Sequence, residues 1–190
     1  MISVVIPVRR GGSARTTLVS LAAQTMQDFE IIVSWDEELR GANWARNRGA
    51  ELATGDLLLF SDDDVSWSHD ALERLTGALA ADQAASWAYG AYEMGGRIQC
   101  DLPFDARRLR RGNYISTMSL VKRADFPGFD ESVARLQDWD LWLTMTERGH
   151  RGVYCGGVIF STVEKPGITL DGPVSWEEAR MIVARKHGIA

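Results

Sequence analysis

The chain has 190 residues, 45% hydrophobic and 25% charged, with a formal net charge of −5. That length allows one domain with a proper core, and the acidic balance offers no global positive field to draw nucleic-acid phosphates. Cys100 and Cys155 are too few and too far apart for a zinc site or a disulfide framework, which fits a reduced, cytoplasmic setting.

The opening MISVVIPVRR is too short an apolar run for a signal peptide and carries its charge on the wrong side. No later run approaches the roughly 18 to 20 apolar residues of a membrane span. A soluble chain is expected, with peripheral membrane contact left open. Ser3–Val8 reads as a buried strand, followed by a helix over Ser13–Gln24 with Ser13 as a cap. A second strand is expected at Phe29–Trp35, and a second helix at Ala42–Ala53, stopped by Gly55. A third strand at Asp56–Phe60 and a third helix at Asp70–Ala80 complete the alternation, with a further strand at Ala85–Met94.

Beyond about residue 95 the alternation breaks down. A short strand at Arg97–Cys100 precedes a basic stretch, RRLRR (Arg107–Arg111), and a strand-like run at Tyr114–Arg123. Then come a turn at FPGFDES, a helix at Gln137–Arg148, short strands at Val153–Tyr154 and Val158–Val163, and a last helix at Trp176–His187. Alternating strands and helices predict a mostly parallel sheet covered on both faces. Ligands bind such sheets off the carboxyl ends of the strands. Those ends are Val8-Arg9, Trp35-Asp36 and Ser61 to Asp64.

Neither G-x-G-x-x-G nor a Walker loop follows the first strand, so a nucleotide would be held by side chains and a metal. Asp62, Asp63 and Asp64 leave the apolar run LLLF together. Mg²⁺ and Mn²⁺ prefer oxygen ligands and need only one or two carboxylates beside phosphate oxygens; a solvated loop or a cap for the following helix is the alternative. Asp36 has the position to accept from a base N–H, or to serve a turn. Arg46, near a helix start with Asn43 and Asn47, suits a diphosphate or a wet helix face. Asp138 and Asp140 lie two apart on a helix and point to opposite sides, so one at most faces a site; Asp138 equally suits helix-dipole work. Trp139 and Trp142 recur at helical spacing and read as core rather than as sugar platforms. RRLRR reads as a solvated basic turn, or as a face for an anionic acceptor or membrane. Lys165, in EKPG, has the position to reach a diphosphate from a late loop.

The order SVVIPVRR…TLVSLAAQTMQDFEIIVSWD…GANWARNRGAELATGDLLLFSDDDVSW…LERL, then FPGFDES…LQDWDLWLTMTERG, resembles a family 2 glycosyltransferase over nearly the whole chain. The resemblance implies an α/β, GT-A fold: a single Rossmann-like domain with a mostly parallel central sheet flanked by helices. Its nucleotide-sugar half would span about 1–94 and its acceptor-side half about 95–190. Pro7, Val8 and Arg9 would line the nucleotide pocket, Asp36 would contact the base, and Asp138 would be the catalytic base. Asp62 would contact the donor nucleotide, while Asp63 and Asp64 would hold the metal, as the Asp-x-Asp-type motif. Two positions depart from the family pattern. Gln137 stands where many members have Glu, and Ser61 where many have Asp, which breaks the frame 61-x-63 and leaves 62-x-64 intact. The chain is also short for that family, which implies trimmed acceptor-side elements or a partner that supplies them.

The implied activity is metal-dependent, inverting transfer from a nucleoside-diphosphate sugar to an acceptor hydroxyl, with Mn²⁺ or Mg²⁺ as cofactor. UDP- and dTDP-sugars are the leading donors, and a saccharide, glycolipid or other hydroxyl compound the acceptor, in polysaccharide or glycoconjugate synthesis. A nucleotidyltransferase and a non-catalytic sugar-nucleotide-binding subunit are the alternatives.

Overall fold

Runs of β-branched and leucine residues form the centre of one sheet, and the stretches of helical period cover it. The computed structural model describes residues 1–162 and 174–189. Its strands are β1 (Ile2–Arg9), β2 (Phe29–Asp36), β3 (Leu57–Phe60), β4 (Ser66–Trp67), β5 (Trp87–Met94), β6 (Arg97–Gln99), β7 (Leu120–Lys122) and β8 (Gly152–Thr162). Its helices are α1 (Arg15–Ala22), α2 (Ala42–Leu52), α3 (Ala71–Ala81), the single turn α4 (Ala106–Leu109), α5 (Gln137–Glu147) and α6 (Trp176–Lys186). Among the described residues no helix is long and apolar enough to cross a membrane.

The sheet runs β2-β1-β3-β7-β5-β8-β4, with β6 beside β5. The strands β2, β1, β3, β5 and β8 share one direction, as the alternation predicts. The exceptions β7, β4 and β6 run against their neighbours. Alternate residues of β1 serve opposite faces. Ile2, Val4, Ile6 and Val8 pack with Leu21, Leu72 and Leu75 from α1 and α3. Val5 faces the other way, into a core with Phe60, Trp87, Trp139 and Trp142. Trp87 and Trp142 stack at 5.1 Å. Both helix tryptophans are therefore core, and each satisfies its indole N–H: Trp139 on the Leu109 carbonyl at 2.6 Å, Trp142 on that of Ile115 at 3.0 Å.

Local chemistry explains where the boundaries shift. α1 starts at Arg15 without a side-chain cap, and Ser13 Oγ instead accepts the Arg15 N–H at 3.4 Å. α2 ends at Leu52, before Gly55, whose role is close approach: a Cβ there would lie 2.7 Å from the Met1 carbonyl. Only Leu120–Lys122 of the run Tyr114–Arg123 forms a strand. Upstream, Ser119 Oγ donates to the Ser116 carbonyl at 2.8 Å and Ser116 Oγ accepts the Met118 N–H at 3.2 Å, so local hydroxyl bonds displace the ladder. The two short strands expected near 153–163 are one strand, β8, whose pairing with β5 slips around Tyr89–Ala91. Gly156 and Gly157, at φ 83° and 54°, carry the irregular stretch that a period-2 reading splits. Val163, the last residue of the expected strand, lies outside the described residues.

Candidate active site

The aspartate run leaves the sheet at a fixed point. Ser61, directly after β3, is fully buried and its Oγ accepts the Trp67 indole N–H at 2.9 Å. A larger acidic side chain has no place there, so the carboxylates that reach the open begin at Asp62. The loop is pinned from α1: Thr17 Oγ1 donates to the Asp62 carbonyl at 2.8 Å and accepts the Val65 N–H at 3.1 Å. With its main chain held, the side chains of Asp62, Asp63 and Asp64 stand half-buried at the edge of the sheet. Asp63 leans toward the loop after β1, since a Cβ on Gly12 would come within 3.2 Å of its Oδ2.

The β1 residues divide their roles. Arg9 is exposed, Pro7 is half-buried, and the Val8 side chain is wholly within the core. Asp36, paired across from Arg9, is 4% exposed. Its two oxygens accept the N–H groups of Arg40 at 2.8 Å and Gly41 at 2.7 Å, which folds the loop between β2 and α2. Asp36 is thus a turn residue in this geometry, with lone pairs left on both oxygens.

Arg46 is not on a wet face. It is 3% exposed, its Nη2 lies 2.8 Å from Asp62 Oδ1, and its guanidinium stacks over Phe129 at 5.4 Å. The neighbouring Asn43 and Asn47 bind the second half of the chain. Asn43 Nδ2 donates to the carbonyls of Asp130 and Val133, both at 2.9 Å. Asn47 donates to the Phe129 carbonyl at 2.9 Å and accepts its N–H at 2.8 Å. One face of α2 therefore joins the FPGFDES turn to the aspartate loop.

That turn delivers α5. Leu136, just before it, has φ 61° and ψ 31°, a left-handed conformation costing a leucine on the order of 1 kcal/mol. Asp138 follows in the first helical turn, its Oδ1 accepting the Trp139 N–H at 2.9 Å. Burial pushes its carboxyl up to about 6, against the pull of the Trp139 N–H, the Arg46 charge and the Asn113 side chain. Asp140 points away, as the spacing predicts: it is 3% exposed and binds Lys186 and His187, each at 2.8 Å.

Asp62 and Arg46 are thus in contact from two separate stretches, and the Arg46 charge is felt at Asp138 on a third. Asn113, Tyr92 and Cys100 also act on Asp138, and no local sequence pattern marks them. The basic stretch forms α4, capped by Asp105, whose Oδ1 accepts the N–H groups of Arg107 and Arg108; Arg110 lies 3.7 Å from Glu147. Lys165 lies outside the described residues. Among those residues no three His, Cys, Asp or Glu side chains gather into a metal-binding group. The donor chemistry nonetheless fits a hard cation, because carboxylate oxygens off one strand end meet the demand for one or two protein ligands beside phosphate oxygens.

Residues 35–124, a little under half of the chain, match Glycosyl transferase family 2. None of the curated proteins compared matches the sequence. Among solved structures, S. aureus TarS 1–349 in complex with UDP-GlcNAc is similar with a TM-score of 0.75 at 16% identity, over 97% of this chain and 66% of that one. TarS 1–349 in a second structure gives 0.71 at 16% identity, over 85% of this chain, which spans only 60% of its length. The Pyrobaculum calidifontis mannosyltransferase PcManGT, in complex with GDP-Man and Mn²⁺, gives 0.63 at 17% identity, over 86% of this chain and 56% of that one. The fold is GT-A, and the matched segment with that fold supports a glycosyltransferase of family 2.

Proposed function

We propose that this chain transfers a sugar, with inversion, from a nucleoside-diphosphate donor to an acceptor hydroxyl, using a divalent cation. The observation that carries the reading is the aspartate loop off β3, half-buried at the strand ends with Asp62 held at 2.8 Å by the buried Arg46. Two of the similar structures hold UDP-GlcNAc and GDP-Man with Mn²⁺, which supports a nucleotide-sugar donor and leaves the base to experiment; UDP and dTDP remain the leading candidates.

In this reading the donor lies across the carboxyl ends of β1, β2 and β3. Pro7 and Arg9 border the nucleotide, Asp36 shapes the base side, and Asp62 meets the ribose or diphosphate side. Asp63 and Asp64 would hold Mn²⁺ or Mg²⁺. When bound, the cation supplies positive charge opposite the leaving diphosphate. Asp138 accepts the proton of the acceptor hydroxyl as its oxygen bonds to the anomeric carbon from the face opposite the leaving group. The bond from that carbon to the diphosphate breaks, and the nucleoside diphosphate leaves with its electron pair. A carboxyl titrating at about 6 is deprotonated at neutral pH yet still basic enough to take that proton.

Calorimetric titration of UDP, dTDP and GDP, with and without Mn²⁺, into the parent and Asp63→Ala tests the donor site. Binding that needs both the metal and Asp63 is expected; binding indifferent to both would remove the support for the donor site. Asp138→Asn should keep nucleotide binding and lose on the order of 10²-fold or more in kcat. Unchanged turnover in that variant would sink the assignment of the base.

A further inference from the structure

The stretch Asp105–Arg111 holds four arginines and one aspartate in a chain whose net charge is −5. The aspartate is engaged as the cap of α4, its Oδ1 accepting the N–H groups of Arg107 at 2.8 Å and Arg108 at 3.1 Å. Leu109 is fully buried and its carbonyl accepts the Trp139 indole N–H, which anchors the turn on α5. Arg107, Arg110 and Arg111 are left facing water. α6 lies alongside: Arg180 Nη2 donates to the Arg111 carbonyl at 3.4 Å, so the two basic elements share one surface.

α6 turns Ala179 and Val183 into the core beside Trp139 and Trp142. Its outer side is not polar: Trp176 is 54% exposed, Met181 45% and Ile182 49%. Arg180 and Arg185 stand exposed among them, and Met181 and Arg185, four apart, lie on one side of the helix. Of the two acids of α6, Glu178 is folded back as a cap, its Oε2 accepting from the Ser175 N–H at 3.0 Å and Oγ at 2.8 Å; Glu177 stays in the open. None of Arg107, Arg111, Arg180 and Arg185 forms an ion pair among the described residues, whereas Arg110 lies 3.7 Å from Glu147 and Lys186 is held by Asp130 and Asp140. Like charges gathered this closely repel, and nothing within the described fold offsets them.

We propose that α4 and α6 form a docking surface for an anionic lipid bilayer, met peripherally by the arginines at the headgroups and by Trp176, Met181 and Ile182 at the acyl boundary. The charge of the surface and its apolar content choose this partner together. A nucleic acid would engage the arginines and leave Met181 and Ile182 without a counterpart. The core of a protein interface is depleted of unpaired charge. A bilayer takes both, since anionic headgroups attract guanidinium groups while indole and aliphatic side chains enter the boundary beneath them. The surface lies on the α5 side of the sheet, opposite α1 and α3. It does not depend on the transferase reading, and its test needs no nucleotide.

The full chain is sedimented with vesicles of phosphatidylcholine, alone or mixed with phosphatidylglycerol, at low and at high salt. Binding is expected to the anionic vesicles only, and to fade as salt screens the headgroups. Arg107→Gln with Arg111→Gln should weaken it about thirtyfold, about fivefold for each charge. Met181→Ser with Ile182→Ser should weaken it too, and Arg15→Gln, on the far side of the sheet, should not. All of these side chains are exposed, so the variants should keep the circular dichroism of the parent. No binding to anionic vesicles, equal binding to neutral ones, or binding that both double variants leave intact overturns the proposal. So does a dimer in sedimentation velocity that Met181→Ser with Ile182→Ser dissociates while vesicles stay unbound, for the surface is then an interface between copies of the chain.

Discussion

A carboxyl that takes a proton from a hydroxyl near neutral pH works best with a raised affinity for protons, and burial does this to Asp138, which titrates at about 6. If Asp138 is the base, the rate of transfer should be level above about pH 6 and fall about tenfold per pH unit below it, a profile that steady-state rates at saturating donor would measure. The same burial costs stability. The folded chain binds this proton more tightly than the unfolded one, so stability is greatest below the ordinary carboxylate range and declines as pH rises to about 6. At pH 7 the full cost, up to about 3 kcal/mol, is present. Asp138→Asn should thus melt at a higher temperature than the parent at pH 7 while turning over far more slowly; equal melting at pH 7 would count against desolvation as the cause. Asp62 to Asp64 stood out in the sequence as adjacent carboxylates after an apolar strand, whereas Asp138 at a helix start suited dipole work equally and was singled out by the resemblance. Asn113 had no such signal, because it comes near Asp138 only in the folded chain.

Elements reach the site through their attachments. α6 is fastened to α5 by Asp140, which receives Lys186 Nζ and His187 Nε2, while His187 Nδ1 lies 2.9 Å from Glu147. Both ring nitrogens of His187 thus lie within hydrogen-bond distance of a carboxylate. Removing Asp140 would leave a 3% exposed histidine side chain and the head of Lys186 short of their shared partner. Asp140→Ala should cost about 3 kcal/mol and lower the melting temperature by roughly 6–12 °C; a loss under about 1 kcal/mol in chemical denaturation would refute the clamp. At this scale the sequence was clearest where period governs. β1, β2, α2 and α3 lie within a residue or two of their expected bounds. It was least clear where side-chain oxygens bind nearby main chain, as at Ser116–Ser119, or where glycines break a strand, as in β8.

Across the whole molecule, the order of strands carried the functional information. Alternation predicts that β1, β2 and β3 end at one edge, and they do, with Arg9, Asp36 and the aspartates on it. The run Tyr114–Arg123 reads as strand-like, but nothing in it marks the antiparallel insertion of β7 between β3 and β5, because a local pattern reports an element and not its partners. If that edge binds a nucleotide with Mn²⁺, ligand at about 100 times its dissociation constant should add about 2.7 kcal/mol to stability. In a chain of this size that raises the melting temperature by roughly 5–11 °C. The rise should vanish in Asp63→Ala; persistence there would point to binding elsewhere.

The asparagine bridges from α2 have a consequence in time. Asn43 and Asn47 reach partners 82 to 90 residues downstream, so these bonds close only after a long intervening chain has been placed. Contacts of such separation carry a large loop-closure cost and form slowly. The β1–α1–β2 unit is built from local crossings and does not wait for them. The carboxylate loop is therefore expected to be in place before α5 arrives, so that the proposed donor side would form earlier in folding than the proposed base.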